Sequence, residues 1–153
     1  MRRTLLLLSF FLFSATVAQA QSVDPARPFS VIKALQEMGY RAQLEVDSVG
    51  DPRIESQLEG VDYYIWFYGC TDNADCTSWK LSVGFDLNNG LTLQKANEWN
   101  SEKLMGSVYL DDESDPYLEH YIIAKGGVSG VLFEEMISRW SYAVSSFKDH
   151  INW

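Results

Sequence analysis

From Tyr40 to Phe85 the chain breaks into short runs rich in β-branched and aromatic residues, separated by Gly, Asp and Asn. Ala42, Leu44 and Val46 alternate with Gln43, Glu45 and Asp47, and Arg53 to Leu58 carries Ile54 and Leu58. Asp62 to Tyr68 reads DYYIWFY, and Trp79, Leu81, Val83 and Phe85 alternate with Lys80, Ser82 and Gly84. A period of two, bounded by turn residues, marks strands, so four strands in antiparallel succession are predicted. A chain with this middle builds a sheet, and the rest of it has to cover a face of that sheet.

The flanks supply the cover. FSVIKALQEMG places Val31, Ile32, Leu35 and Met38 at helical spacing, with Gly39 standing where a left-handed C-cap belongs. After Asn88-Asn89-Gly90, LTLQKANEWN fits one short helix with Leu93, Ala96 and Asn97 on a shared face and Trp99 or Asn100 at its end. Met105 to Leu110 and Tyr117 to Ala124 are predicted as a second strand pair, followed by a GGVSG turn. In the closing segment Leu132 or Phe133, Met136, Ile137, Trp140, Ala143, Val144, Phe147 and Ile151 form an apolar stripe, and Ser129 is positioned as its N-cap. The predicted order is helix, four strands, helix, two strands, helix, an α+β layer with helices on one face of an antiparallel sheet.

The N-terminus addresses the compartment. Arg2 and Arg3 precede an apolar run from Leu5 to Phe13, and Ala18-Gln19-Ala20 supplies a small-x-small cleavage pattern. Residues 1–20 are therefore predicted as a signal peptide cleaved near Ala20, residues 21–28 as a leader, and 29–153 as a single domain. The run falls short of the ~20 uninterrupted apolar residues of a membrane span, so a periplasmic or secreted protein without a stable membrane anchor is expected. The whole chain holds 12 basic and 21 acidic side chains, net −9; loss of Arg2 and Arg3 leaves 10 against 21, net −11. Nucleic-acid partners need clustered Lys and Arg and are excluded on that ground, and anionic membrane surfaces are disfavoured. Cys70 and Cys76 in CTDNADC read as a disulfide in an exported chain, ahead of free thiols or redox activity. Their spacing is wider than the usual metal-binding or C-x-x-C redox pair.

Two acidic segments, DSVGDPRIE (47–55) and DDESDPYLE (111–119), share an Asp-Pro step followed by an apolar residue and Glu. Proline presets the second turn position and Asp hydrogen-bonds the backbone ahead of it, so both are predicted as strand-connecting turns. The alternative is a bound calcium ion, with TDNAD as a further candidate, but none of the three fits the EF-hand frame. There is no G-x-S-x-G and no H-E-x-x-H, and GGVSG lacks the Lys-Ser/Thr of a P-loop. His120, inside a predicted strand, and His150, near the end of the last helix, are assigned structural roles. No cofactor or metal ligand set is indicated, and a hydrolase built on paired carboxylates stands as a third hypothesis.

Aromatic residues with polar tips suit interfaces, which makes Tyr63, Tyr64, Trp66, Tyr68, Trp79 and Trp99 candidate partner-binding residues. Asn97 and Asn100 join them if their amides serve a peptide backbone; otherwise Asn97-Glu98-Trp99-Asn100 is a helix ending. At DYYIWFYGC…C, ANEWN, MGSVYLDD and FEEMISRW…F, over roughly Ser30 to Phe147, the chain resembles the YbjN-domain family of bacterial sensory transduction regulators. The resemblance implies an α+β fold similar to type III secretion chaperones, which bind partner polypeptides, form homodimers and perform no reaction. The signal peptide and cysteine pair depart from cytoplasmic members and put cytosolic signalling in doubt. The expected function is an exported, non-enzymatic protein- or peptide-binding domain, regulatory or chaperone-like. The alternative is a periplasmic small-ligand or carbohydrate-binding sensor.

Overall fold

The computed structural model describes residues 22–153; the predicted signal peptide and its cleavage point lie outside the described residues. The elements run β1 (Ser22–Val23), α1 (Pro28–Glu37), β2 (Ala42–Val46), β3 (Pro52–Leu58), β4 (Val61–Tyr68), β5 (Ser78–Gly84), α2 (Leu93–Glu102), β6 (Ser107–Leu110), β7 (Pro116–Ile123), β8 (Val128–Ser129) and α3 (Gly130–Ile151). Strands β2 to β7 form one six-stranded antiparallel sheet in the order β2-β3-β4-β5-β7-β6. The predicted α+β order therefore holds, and the second hairpin joins the first four strands through β7, which pairs with β5.

One pair of strands was not foreseen. Ser22 and Val23, assigned above to a leader, pair antiparallel with Val128 and Ser129, and Val23 is fully buried. The approach is close because position 127 is glycine: with φ at +83°, a Cβ there would sit 2.3 Å from Ser22 Oγ. The segment continues into α1 through Asp24, whose carboxylate accepts from the Ala26 amide and whose own amide donates to Ser30 Oγ.

The helices cover one side of the sheet. α1 buries Val31, Ile32, Ala34 and Leu35 and ends at Gly39, which takes the left-handed conformation expected of it. α3 starts from Ser129, whose hydroxyl accepts from the Leu132 amide, and buries Phe133, Ile137, Trp140, Ala143, Val144, Phe147 and Ile151; of the predicted pair, Phe133 rather than Leu132 is inward. The stripe meets the sheet ring to ring: Phe133 on Trp79 at 5.9 Å, Trp140 by Tyr63 at 6.4 Å and Phe147 on Phe85 at 5.4 Å. From Phe133 to Phe147 the helix rises about 21 Å. The strand path from Trp79 to Phe85 covers about 20 Å, so α3 lies along β5 with matched spacing.

α2 does not end at Trp99 or Asn100, as the sequence suggested, but runs on to Glu102, and Leu93 faces solvent while Ala96 and Trp99 are inward. His120 lies on the helix-side parity of β7, half-buried, with Nδ1 accepting from the Gly106 amide at 3.4 Å. Burial lowers its pKa below the ordinary histidine value. A depressed folded pKa means the unfolded chain takes up the proton first as pH falls, so stability is full above about pH 6.5 and declines as pH drops toward the folded value. Thermal unfolding between pH 7.5 and 5.5 is expected to show a decline that is smaller in His120→Gln; equal declines in both proteins would remove His120 from the account. His150 is tied instead to α2, donating through Nε2 to the Lys95 carbonyl at 2.9 Å.

Candidate functional site

Because side chains alternate along a strand, the face of the sheet away from the helices is defined by parity. In β4 the odd positions Tyr63, Ile65 and Phe67 are buried, and Tyr64, Trp66 and Tyr68 stand on the open face. In β7 it is the odd positions, Tyr117, Glu119, Tyr121 and Ile123, that the register through β5 brings to that face. Cross-strand register sets out the rows: Arg53, Trp66, Lys80 and Tyr121 lie side by side, and Glu55, Tyr64, Ser82 and Glu119 occupy the next row. Tyr109 on edge strand β6 stacks on Tyr117 at 5.1 Å, and Tyr68 meets Tyr121 edge-on at 6.2 Å. The outcome is an open sheet face carrying six large aromatic side chains, where water-facing β-sheets are usually polar.

Two cations are set into this face and are held in place. The Arg53 guanidinium lies over Tyr64 and Trp66, 4.6 and 4.8 Å from the ring centres, and its Nε donates to Glu45 Oε2 at 3.1 Å. Lys80 pairs with Glu119 at 2.7 Å and lies 5.6 Å from the centre of the Tyr68 ring. Desolvation pulls the Lys80 pKa down, but its bonds to Glu119 and Tyr68 outweigh that and the net shift is upward. Burial, reinforced by the charge on Glu119, raises the Tyr109 phenol. Ser82 Oγ also donates to Glu119 at 3.1 Å, and the Tyr121 hydroxyl donates to Ser78 at 2.8 Å.

At one end of this face a groove of about 380 Å³ opens between Tyr64 and Trp66 on one side and Tyr117 on the other, with Ser82 and Gly84 as its floor and Asp62, Asp86 and Asp115 around it. Gly84 makes room for the wall: a Cβ there would lie 2.7 Å from the Tyr117 ring, so any larger residue would push the tyrosine off the sheet.

Several sequence-based assignments need correction. Tyr63, Trp79 and Trp99 are not surface residues; each is at most 1% exposed, because their parity or helix face points into the layer between sheet and helices. Asn100 is committed within the fold. Its Nδ2 donates to the Val108 carbonyl at 3.1 Å and its Oδ1 accepts from the Val108 amide at 2.7 Å, so one side chain takes the place of a neighbouring strand on the edge of β6. Trp99 adds a bond from Nε1 to the Gly106 carbonyl at 3.1 Å. Asn97 is exposed on α2. Tyr64, Trp66 and Tyr68 are the three original candidates that come together. Tyr109, Tyr117 and Tyr121 were missed, although the odd-position pattern in β7 was available as a signal.

Cys70 and Cys76 are joined by a disulfide. The loop they close reaches back to the first acidic turn, where Asn73 Nδ2 donates to the Val49 carbonyl at 3.1 Å and to Asp51 Oδ1 at 2.9 Å. The two acidic turns are alike bond for bond. Asp47 Oδ1 accepts from the amides of Val49 and Asp51, and Asp111 Oδ1 accepts from those of Glu113 and Asp115, all at 2.9 Å. The fourth residue, Gly50 or Ser114, takes positive φ in each. These carboxylate oxygens are thus used as backbone acceptors, which is turn chemistry. Among the described residues no group of three or more His, Cys, Asp or Glu side chains is placed to hold a metal ion, and no helix is long and apolar enough to cross a membrane.

A comparison with family models matches residues 30–153 to YbjN, described as "Putative bacterial sensory transduction regulator". No curated protein and no solved structure matches the chain.

Proposed function

The chain belongs to the YbjN family, and from that premise we propose that it is an exported, non-enzymatic domain of regulatory or chaperone-like type that binds a partner polypeptide on the open face of its six-stranded sheet. The observation that carries this reading is the aromatic face itself. Tyr68, Tyr109, Tyr121 and Ile123 are exposed, and Tyr64, Trp66 and Tyr117 are only half-buried, although nothing in the fold requires aromatic rings on a solvated face. Rings with polar tips give a polypeptide both apolar area and hydrogen-bonding ends. The family's description as regulators and the disulfide of an oxidising compartment are in keeping with this role.

Site-specific photo-crosslinking tests it. A photoreactive phenylalanine at Tyr121 on the open face, or at Tyr142 on the exposed side of α3, would be introduced into the disulfide-intact protein in its own compartment. A defined polypeptide adduct from position 121, absent from position 142 and abolished by Trp66→Ala with Tyr68→Ala at unchanged thermal stability, is the expected result. Adducts from position 142 alone, or none from position 121, would sink the reading. An adduct consisting of a second copy of this chain would identify the face as a homodimer interface.

A further inference from the structure

Resting on the reading that the open face binds a polypeptide, we propose that the groove between Tyr64, Trp66 and Tyr117 receives a lysine or arginine side chain, so that the docking segment of the partner is basic. Tyr64, Trp66 and Tyr117 wall the groove, the buried Phe85 touches it, and three carboxylates, Asp62, Asp86 and Asp115, border it, while no lysine or arginine lines it. Asp62 is met from outside by Arg41 at 3.6 Å, and Asp115 spends Oδ1 on the Leu87 amide at 2.8 Å. Asp86 is exposed and makes no ion pair among the described residues.

The same face shows what such a guest would experience. Arg53 rests on Tyr64 and Trp66 while bonded to Glu45, and Lys80 combines Glu119 with the Tyr68 ring. Both internal cations therefore use one recipe, a ring surface plus a carboxylate. The groove adds the Tyr117 ring and the exposed Asp86 carboxylate beside the Tyr64 and Trp66 rings that Arg53 already touches, and no lysine or arginine lines it. Ring quadrupole and carboxylate attract the same charge, and the excess of acidic side chains over the whole chain favours a cationic partner at long range. An anionic segment would face three carboxylates, of which only Asp62 is met by a cation, Arg41.

The test uses random twelve-residue peptides displayed on phage and panned on the disulfide-intact protein. Selected peptides are expected to share a Lys or Arg at a fixed position. Changing that residue to Gln in the synthetic peptide, or Asp86→Asn in the protein, is expected to weaken binding by about tenfold at unchanged thermal stability. Peptides that bind the open face equally well after the change to Gln would overturn the basic preference and leave the polypeptide reading standing. Failure of every peptide, with binding only of spermidine or of a neutral oligosaccharide, would overturn both.

Discussion

Trp99→Ala is expected to cost the fold about 3–5 kcal/mol, the range for emptying a large aromatic site in a packed core. Trp99 is 1% exposed, packs on Phe147 with ring centres 4.9 Å apart and on His150 at 5.6 Å, and anchors α2 to the Gly106 carbonyl. Its removal opens the seam between α2, α3 and the start of β6, and leaves that carbonyl without its donor. Domains of this size are stable by roughly 5–15 kcal/mol in all, so the variant should sit near the threshold of folding. Trp66→Ala is the natural contrast: it lies on the open face and should shift stability by under about 1 kcal/mol. Urea unfolding of both variants separates the cases through their midpoints. A Trp99→Ala midpoint indistinguishable from that of Trp66→Ala would contradict the burial described.

Reduction of the Cys70–Cys76 bond is expected to lower stability by about 2 kcal/mol, the small value proper to a short closed loop. Its reach should exceed the loop. Asn73, carried between the two cysteines, holds both the Val49 carbonyl and the Asp51 carboxylate, so loosening the loop should also release the β2–β3 turn. Unfolding with and without reductant, beside a Cys70→Ser/Cys76→Ser variant that no longer responds to it, measures the first effect. Hydrogen exchange at residues 47–51 reports the second. An unchanged midpoint under reductant would mean that the disulfide adds nothing to the fold.

Local chemistry made much of this fold legible. Strands β2 to β5, the turns at 47–51 and 111–115, the Ser129 cap and the apolar stripe of α3 each depend on residues near one another in the chain and appear where expected. Within them, Pro52 and Pro116 open β3 and β7 instead of sitting second in a turn, and Asp47 and Asp111 are the carboxylates that bond the backbone. On edge strand β2, Leu44 and Val46 stay exposed. The other misses share one cause, dependence on a distant partner. A two-residue strand such as Ser22–Val23 has no periodicity to read, and it exists because Val128 and Ser129 come to lie beside it. DYYIWFY has aromatics at both parities, so composition alone did not separate Tyr63, which faces Trp140, from Tyr64, which faces Arg53. Asn100 looked like a helix terminator because its actual partner, the backbone of Val108, belongs to a strand predicted separately.

The β1–β8 pair also bears on the order in which the molecule assembles. Strands β2, β3 and β4 each pair with their immediate successor, so that part of the sheet can grow by short loop closures, and β7 joins β5 only after α2 and β6 have been spanned. Pairing Ser22 with Ser129 closes most of the chain into one loop, whose entropy is repaid only once α1 and α3 are already seated. The short tie from Ser22–Val23 to the strand that leads into α3 is therefore expected to close late, over a layer already packed.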